Sequence, residues 1–386
     1  MQTLVQIKPS PLTESAKAVL RRLVSGGAST RPQIGAELGL SRPTMSAAIS
    51  ELARFGYVDL MGAVQGPLGR SAAQYRVGRR AGHVIAVDAG STHVRLRVST
   101  LDGRVLHSRV CGLPGSQFAL TPEISRTVAQ EVEAAIAERN EDWGPLRSLG
   151  IAVPTRVVGS QRDADDTDQN VIFSKFAPPE GIEVLLVNNV NCAAVAEHHL
   201  GAARGRDTFA YIQIGLKIGM GLMLGGNVIA GINGSAGEIG HLSFPFAPRQ
   251  VPVPGAVERY LGTESFIARV RANWPDAAGD PPSNTSELLV MAEEGNGAAI
   301  EHVERHAADI GALVATCVSV IDPGLVVLGG GLGASPLFLP KVREVVGRLT
   351  YPVDVLTTLL GVDATVLGVE KLAIERALAR ILGDAV

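Results

Sequence analysis

Val84-Ile85-Ala86-Val87-Asp88-Ala89-Gly90-Ser91-Thr92 is an apolar run that ends in an acidic glycine turn. Four consecutive apolar residues bounded by such a turn read as a buried strand. In the turn, backbone N–H groups can approach an anion while Asp88 orients a metal or a hydroxyl. Taken alone, the same stretch reads equally well as a tight hairpin, so its meaning depends on what lies on either side.

Downstream, strands alternate with helices. Residues 94–99 and 105–110, separated by Asp102-Gly103, complete a three-strand meander, and a helix is expected near 122–139. Strands near 149–153 and 184–187 and a helix from about 191 to 203 follow. Strands over 208–214 and 219–224 open a second α/β unit, with long helices near 258–272 and 298–320. Asp322-Pro323-Gly324-Leu325-Val326-Val327-Leu328 then runs as a strand into Gly329-Gly330-Gly331, and a last helix over 369–381 packs on the body. The pattern predicts an α/β body of two lobes, residues 81–190 and 191–386, with a cleft between them.

Upstream, the composition changes. Residues 1–80 carry eleven Lys and Arg against four Asp and Glu, a net +7, in a chain whose formal net charge is −3. Basic charge concentrated in one terminal module suits an anion-binding domain on an acidic body. Ala16, Val19, Leu20 and Leu23 recur at helical spacing and Gly26-Gly27 stops that helix. A second helix is expected over 31–38, Gly39 supplies a turn, and Ser41 is placed to N-cap a third helix with Pro43 in its first turn. Met45, Ile49 and Leu52 share the core face of that helix, which leaves Arg42, Thr44, Ser46, Ala47 and Ser50 outward. Small and polar residues there allow close entry into a major groove.

Residues 57–61 and 74–77 read as a β-hairpin, with Gly66-Pro67-Leu68-Gly69-Arg70 as its wing tip. This is winged helix-turn-helix punctuation over residues 1–80, with Arg31, Ser41, Arg42, Thr44, Ser46, Ser50 and Arg70 as the expected contacts to double-stranded DNA. A helical protein-interaction module with a solvated basic face is the competing reading.

The 386 residues, 46% of them hydrophobic, are enough for two to four structural units. Cys111, Cys192 and Cys317 are widely spaced and form no CxxC pair, which excludes a disulfide framework and a thiolate zinc site. Every apolar run is interrupted short of a membrane span and the N-terminus lacks a signal core, so a cytoplasmic protein is expected.

With the turn at Asp88-Ala89-Gly90-Ser91-Thr92, the stretch Asn233-Gly234-Ser235-Ala236-Gly237-Glu238-Ile239-Gly240-His241 and the turn Gly329-Gly330-Gly331 after Ile321-Asp322-Pro323, the chain resembles the ROK family of bacterial sugar kinases and repressors over essentially its whole length. A winged helix ahead of such a body is similar to the family's transcriptional regulators. The resemblance implies a two-lobed actin-like (ribonuclease H-like, sugar-kinase-like) body. It also maps Asn188, Asn189, Glu238, His241 and Glu258 onto a pyranose-binding rim. Capping of a glycine-rich loop by Glu238 and His241 is the alternative for those two.

The departures carry as much as the matches. Asn189 stands where the family's kinases place the Asp that takes the proton from the attacking sugar hydroxyl, and an amide cannot be that base. The phosphate loops are degenerate: Asp88, Gly90 and Thr92 flank Ser91 in place of a glycine. Between Gly215 and Gly219 the family's Gly-Thr-Gly becomes Gly215-Leu216-Lys217, with Lys217 expected to be a solvated turn lysine. His241 is followed by Val251-Pro252-Val253-Pro254-Gly255-Ala256 where the family has a cysteine cluster for zinc, so no metal is expected.

The segment leading to the sugar pocket is replaced by residues 155–177, whose Asp163, Asp165, Asp166 and Asp168 read as a solvated loop and not as a calcium site. The C-terminal helix departs from the family's small-residue ending, which further weakens a nucleotide site. The expected protein is a homodimeric or homotetrameric regulator, without enzymatic activity or cofactor, that binds an operator and senses a sugar or sugar-derived effector. The competing readings are an active sugar kinase with a fused DNA-binding head and a regulator that senses a non-sugar ligand or a protein partner.

Overall fold

The computed structural model describes residues 10–65, 71–115, 121–138, 140–157, 172, 175–243, 251 and 253–384. The wing tip with Arg70, most of residues 155–177 with its four aspartates, and Pro252 fall outside the described residues.

Three helices build the head. Helix α1 (Glu14–Gly26) is capped by Thr13 and buries Ala16, Val19, Leu20 and Leu23 as one stripe. After the short strand β1 (Ser29–Thr30), α2 (Arg31–Leu38) begins with a capping box. Thr30 and Gln33 satisfy each other's backbone donors there, and Gly39, at φ 65°, ends the helix. Helix α3 (Arg42–Phe55) is capped by Ser41 and buries Met45, Ala48, Ile49 and Leu52. An Arg22–Glu37 ion pair ties α1 to α2, and Glu51 accepts from the Thr13 N–H at 2.8 Å and its hydroxyl at 2.7 Å, fixing α1 to α3. The hairpin is longer than expected: β2 (Val58–Gln65) and β3 (Ser71–Val77) pair antiparallel through an irregularity between Leu60 and Gly62. Main-chain hydrogen bonds extend the ladder past the point where side-chain alternation fades.

The body contains two five-stranded sheets of the same topology. The first comprises β4 (His83–Ala89), β5 (His93–Thr100), β6 (Val105–Gly112), β7 (Leu146–Val153) and β8 (Glu183–Asn188), in the order β6-β5-β4-β7-β8. Its first three strands form the antiparallel meander, whereas β7 and β8 are parallel to β4. Helix α4 (Pro122–Ala137) supplies the crossover and places Ile124, Val128 and Val132 in a cluster with Ile85, Val87 and Leu149.

Helix α5 (Asn189–Leu200) leads into the second sheet, formed by β9 (Phe209–Ile214), β10 (Ile218–Leu224) and β11 (Asn227–Val228). Helices α6 (Ala256–Leu261), α7 (Thr263–Ala272), α8 (Thr285–Glu293) and α9 (Gly297–Ile321) precede β12 (Leu325–Gly329), α10 (Gly330–Gly333), α11 (Leu339–Leu349) and β13 (Asp354–Thr357). The order β11-β10-β9-β12-β13 repeats that of the first sheet strand for strand. The helix expected over 258–272 is two helices, because Gly262 is extended (φ −63°, ψ 148°) between them.

The last helix, α12 (Ala364–Leu382), lies in the segment expected as the second lobe yet packs on the first sheet. Val366 and Val369 share a buried cluster with Ala86, Ala152 and Cys192, and Arg97 on β5 donates to Glu370 at 2.9 Å. Ala86, Gly150 and Ala152 leave a shallow trough in that sheet, and Gly150 lies against Val369 and Ala373. Shape complementarity between segments more than 200 residues apart decides this placement. At its far end, Ala373, Ile374, Ala377, Ile381 and Leu382 join the cluster of Val19, Leu20 and Leu23 from the head, and Arg21 pairs with Asp384 at 2.6 Å. The hydrophobic core of the head is therefore continuous with the body through α12.

Candidate functional site: an interlobe cleft and an exposed helix face

A cleft of about 610 Å³ opens between the two sheets. One wall is the end of β7 (Pro154, Thr155, Arg156) with the N-terminus of α5. The other combines the β9–β10 turn with Ser235 to Glu238, His241 and Glu258. Asn188, Asn189, Glu238, His241 and Glu258, far apart in sequence, all line it.

Each is positioned by local structure. The Asn188 side chain is the N-cap of α5: its Oδ1 accepts from the Val190 and Asn191 N–H groups at 2.9 and 3.2 Å, and its Nδ2 donates to the Thr155 carbonyl at 3.1 Å. This cap starts the helix at Asn189, two residues earlier than the apolar spacing suggested, and sets Asn189 in its first turn. Glu258 on α6 accepts from the Ile218 N–H at 3.2 Å, pinning the start of β10.

Glu238 opens a 3-10 turn at Ile239–His241 without a side-chain capping bond. Gly237 before it has φ 85°, and a side chain there would strike the Met220 carbonyl; the close approach brings the turn onto β10, where Met220 N–H donates to Gly237 at 2.8 Å. Burial holds the Glu238 carboxyl above its ordinary range, with nearby His241 and Lys217 opposing the shift and Glu258 adding to it.

Lys217 is not the solvated turn lysine that its sequence context suggested. It is half-buried, lines the cleft and donates from Nζ to the Pro154 carbonyl at 2.9 Å, reaching from the second lobe to the first. Arg156, Gln213, Thr155 and Ser235 also line the cleft without having been singled out. The replacement of the family's Gly by Lys217 was the one signal available for any of them.

The degenerate phosphate loops divide. Gly219 lines the cleft, and Gly215 lies beside the turn at Gly330 and Gly331 while its carbonyl accepts from Thr263 at 3.0 Å. Asp88, Gly90 and Thr92 are outside the cleft lining. Asp88 is buried at the end of β4 with Arg95 3.9 Å away, and burial raises its carboxyl from 3.8 to about 7.

The family's zinc site does not fit this chain. From Leu242 to Ala256 the sequence offers no Cys, His, Asp or Glu, and among the described residues no three such side chains are grouped to hold a metal. Cys192 and Cys317 are buried and Cys111 is half-buried, all three as free thiols.

In the head, Arg42, Ser46 and Ser50 are exposed at intervals of four on α3, with Ala47 beside them. Ser41 and Thr44 are partly committed: the Ser41 hydroxyl caps the Thr44 N–H at 3.3 Å and lies 2.8 Å from the Thr44 hydroxyl. Arg31 is half-buried with its guanidinium over the Tyr75 ring, 5.0 Å from the centroid, so it also packs the hairpin against α2.

Two α/β lobes of matching topology around a polar cleft define the actin-like class, here preceded by a winged helix-turn-helix head. Residues 84–376 match the ROK family, and the chain belongs to that family. It is similar to the xylose repressor of Bacillus subtilis, with 20% identity over 95% of this chain and 96% of that one. It is also similar to the bifunctional enzyme NanE/NanK of Brucella melitensis, with 30% identity over 75% of this chain and 54% of the other. Among solved structures, a ROK family transcriptional regulator, a homolog of the Escherichia coli MLC protein, superposes with a TM-score of 0.71 over 95% of this chain and 96% of that one, at 19% identity. The Streptomyces griseus ROK glucokinase in complex with glucose and AMPPNP matches 76% of this chain and all of its own, with a TM-score of 0.61 and 24% identity. No helix among the described residues is long and apolar enough to cross a membrane.

Proposed function

We propose that this protein is a DNA-binding transcriptional regulator, acting as a repressor in the cytoplasm, whose cleft senses a sugar or sugar-derived ligand without phosphorylating it. The observation that carries this reading is Asn189: a cleft rimmed by Glu238, His241 and Glu258 is suited to hydroxyl recognition, but an amide stands where a proton acceptor is required. Full-length similarity to a xylose repressor supports the DNA-binding half of the reading. The exposed stripe Arg42, Ser46, Ser50 would enter the major groove, and assembly into a dimer or tetramer would present paired heads to an operator.

The path from ligand to DNA runs along α12. The Thr365 hydroxyl contacts the Asn189 carbonyl at 3.5 Å at one end, and the other end is part of the core of the head. A ligand that alters the α5–α12 contact thereby biases the head, with coupling of about 1–3 kcal/mol typical of such linkage.

The test is fluorescence anisotropy of the full-length protein on its own upstream DNA at fixed salt, with and without a panel of sugars, alongside a coupled assay of ATP turnover with the same sugars. The expected result is tight binding shifted by one sugar class and no turnover. Sugar-dependent ATP consumption would establish a kinase with a fused head instead, and DNA binding indifferent to every sugar would overturn the sensor.

A further inference from the structure

Lys217 occupies a position that hydroxyl recognition does not explain. A lysine ammonium has three donors and a full charge; its hydrogen bond goes to a neutral carbonyl, that of Pro154, and the nearby Glu238 carboxyl is the anionic group beside it. Half-burying its stem and fixing its head across the cleft costs side-chain entropy and solvation. A polar residue of smaller cost would bridge to that carbonyl equally well.

Arg156, on the Pro154 wall, lines the same cleft, as do His241, Glu238 and Glu258, and His241, Lys217 and Arg156 all lie close enough to Glu238 to oppose the rise that burial imposes on its carboxyl. One Glu258 oxygen, Oε2, accepts from the Ile218 N–H. Lys217 also stands at the turn that resembles the family's second phosphate loop, with a side chain where that loop has glycine.

We propose that the cleft's ligand is an acidic sugar derivative, whose carboxylate or phosphate ion-pairs with Lys217 and Arg156 while its hydroxyls meet Glu238, His241 and Glu258. This rests on the sugar-sensing reading above and names the class of sugar. The oxyanion replaces the Pro154 carbonyl as the partner of the ammonium, exchanging a charge–dipole bond for a charge–charge bond in a partly desolvated cleft.

Calorimetric titration of the full-length protein with matched trios tests it: D-glucose, D-glucuronate and D-glucose 6-phosphate, and the corresponding galactose and mannose sets. In at least one trio an acid is expected to bind about tenfold or more tighter than its neutral parent, with the advantage shrinking as salt is raised. The carboxylate and phosphate arms identify which oxyanion is preferred. Lys217→Gln is expected to collapse the ratio between the acid and its neutral parent, and Lys217→Arg to keep it.

Neutral sugars binding as well as their acids, or a ratio that survives Lys217→Gln, would overturn the proposal and leave the sugar sensor standing. Absence of binding by both classes would overturn both.

Discussion

Asn188 spans the cleft wall: its amide nitrogen donates to Thr155 at 3.1 Å while its amide oxygen caps α5. The side chain that the resemblance assigns to a ligand is thus already committed to joining the chain just after β7 to the N-terminus of α5. Replacing it tests the two roles separately. Asn188→Ala is expected to lower unfolding free energy by about 1 kcal/mol or more through the lost cap, and Asn188→Asp to keep the cap but lose the bond to Thr155, because a carboxylate accepts as an amide does and cannot donate, which places its stability between the other two. Denaturant titration of the three proteins decides this, and an alanine variant as stable as its parent would remove the cap from the account.

Asp88 provides a pH signature. Its carboxyl titrates at about 7 in the folded chain against 3.8 ordinarily, so its contribution to stability is present in full below pH 3.8 and is lost as pH rises through 7. The difference corresponds to a ceiling of about 4 kcal/mol. Asp88→Asn removes the titration, and we expect it to raise Tm more at pH 8 than at pH 5. Equal shifts at the two pH values would show that Asp88 is ionised in the native state throughout.

Gly368 on α12 faces the Cys192 carbonyl of α5 so closely that a methyl group would collide with it. We expect Gly368→Ala to cost about 1–3 kcal/mol of stability by overpacking. It should also weaken the effect of ligand on DNA binding more than it weakens DNA binding itself. Anisotropy with and without effector measures both, and a loss of DNA affinity with coupling intact would argue against the α12 path.

Arg42 is the exposed basic residue at the start of α3. Arg42→Ala is expected to cost about 1–3 kcal/mol with relaxed specificity at one base position if it reads a base edge, or to reduce the salt slope by about 1 if it holds a phosphate. A salt titration on operator and scrambled DNA distinguishes the two. Unchanged affinity on both would take Arg42 out of the interface.

Much of the fold was legible in the chain because its signals are local. Ser41 caps where a hydroxyl residue precedes an apolar stripe, Gly39 ends α2 through its left-handed backbone, and the apolar runs at 84–87 and 325–328 became buried strands. That Asn188, Asn189, Glu238, His241 and Glu258 come together in one cleft was legible through a resemblance carried by Asn233 to His241, and that stretch does fold onto β10 beside Glu258. Lys217 was misread because local context shows a polar residue in a glycine turn, whereas its surroundings are set by β7 of the other lobe.

By itself, the sequence determined the order of elements, the basic head, the amide at Asn189 and the absence of thiolates from Leu242 to Ala256, since each is a property of residue type or of neighbours a few positions apart. The tertiary structure decided that α12 belongs against the first sheet and joins the core of the head, that Asp88 is buried outside the cleft, and that Lys217 crosses it. Those outcomes depend on complementary surfaces and desolvation between segments up to 363 residues apart, a length scale at which periodicity and propensity carry no information.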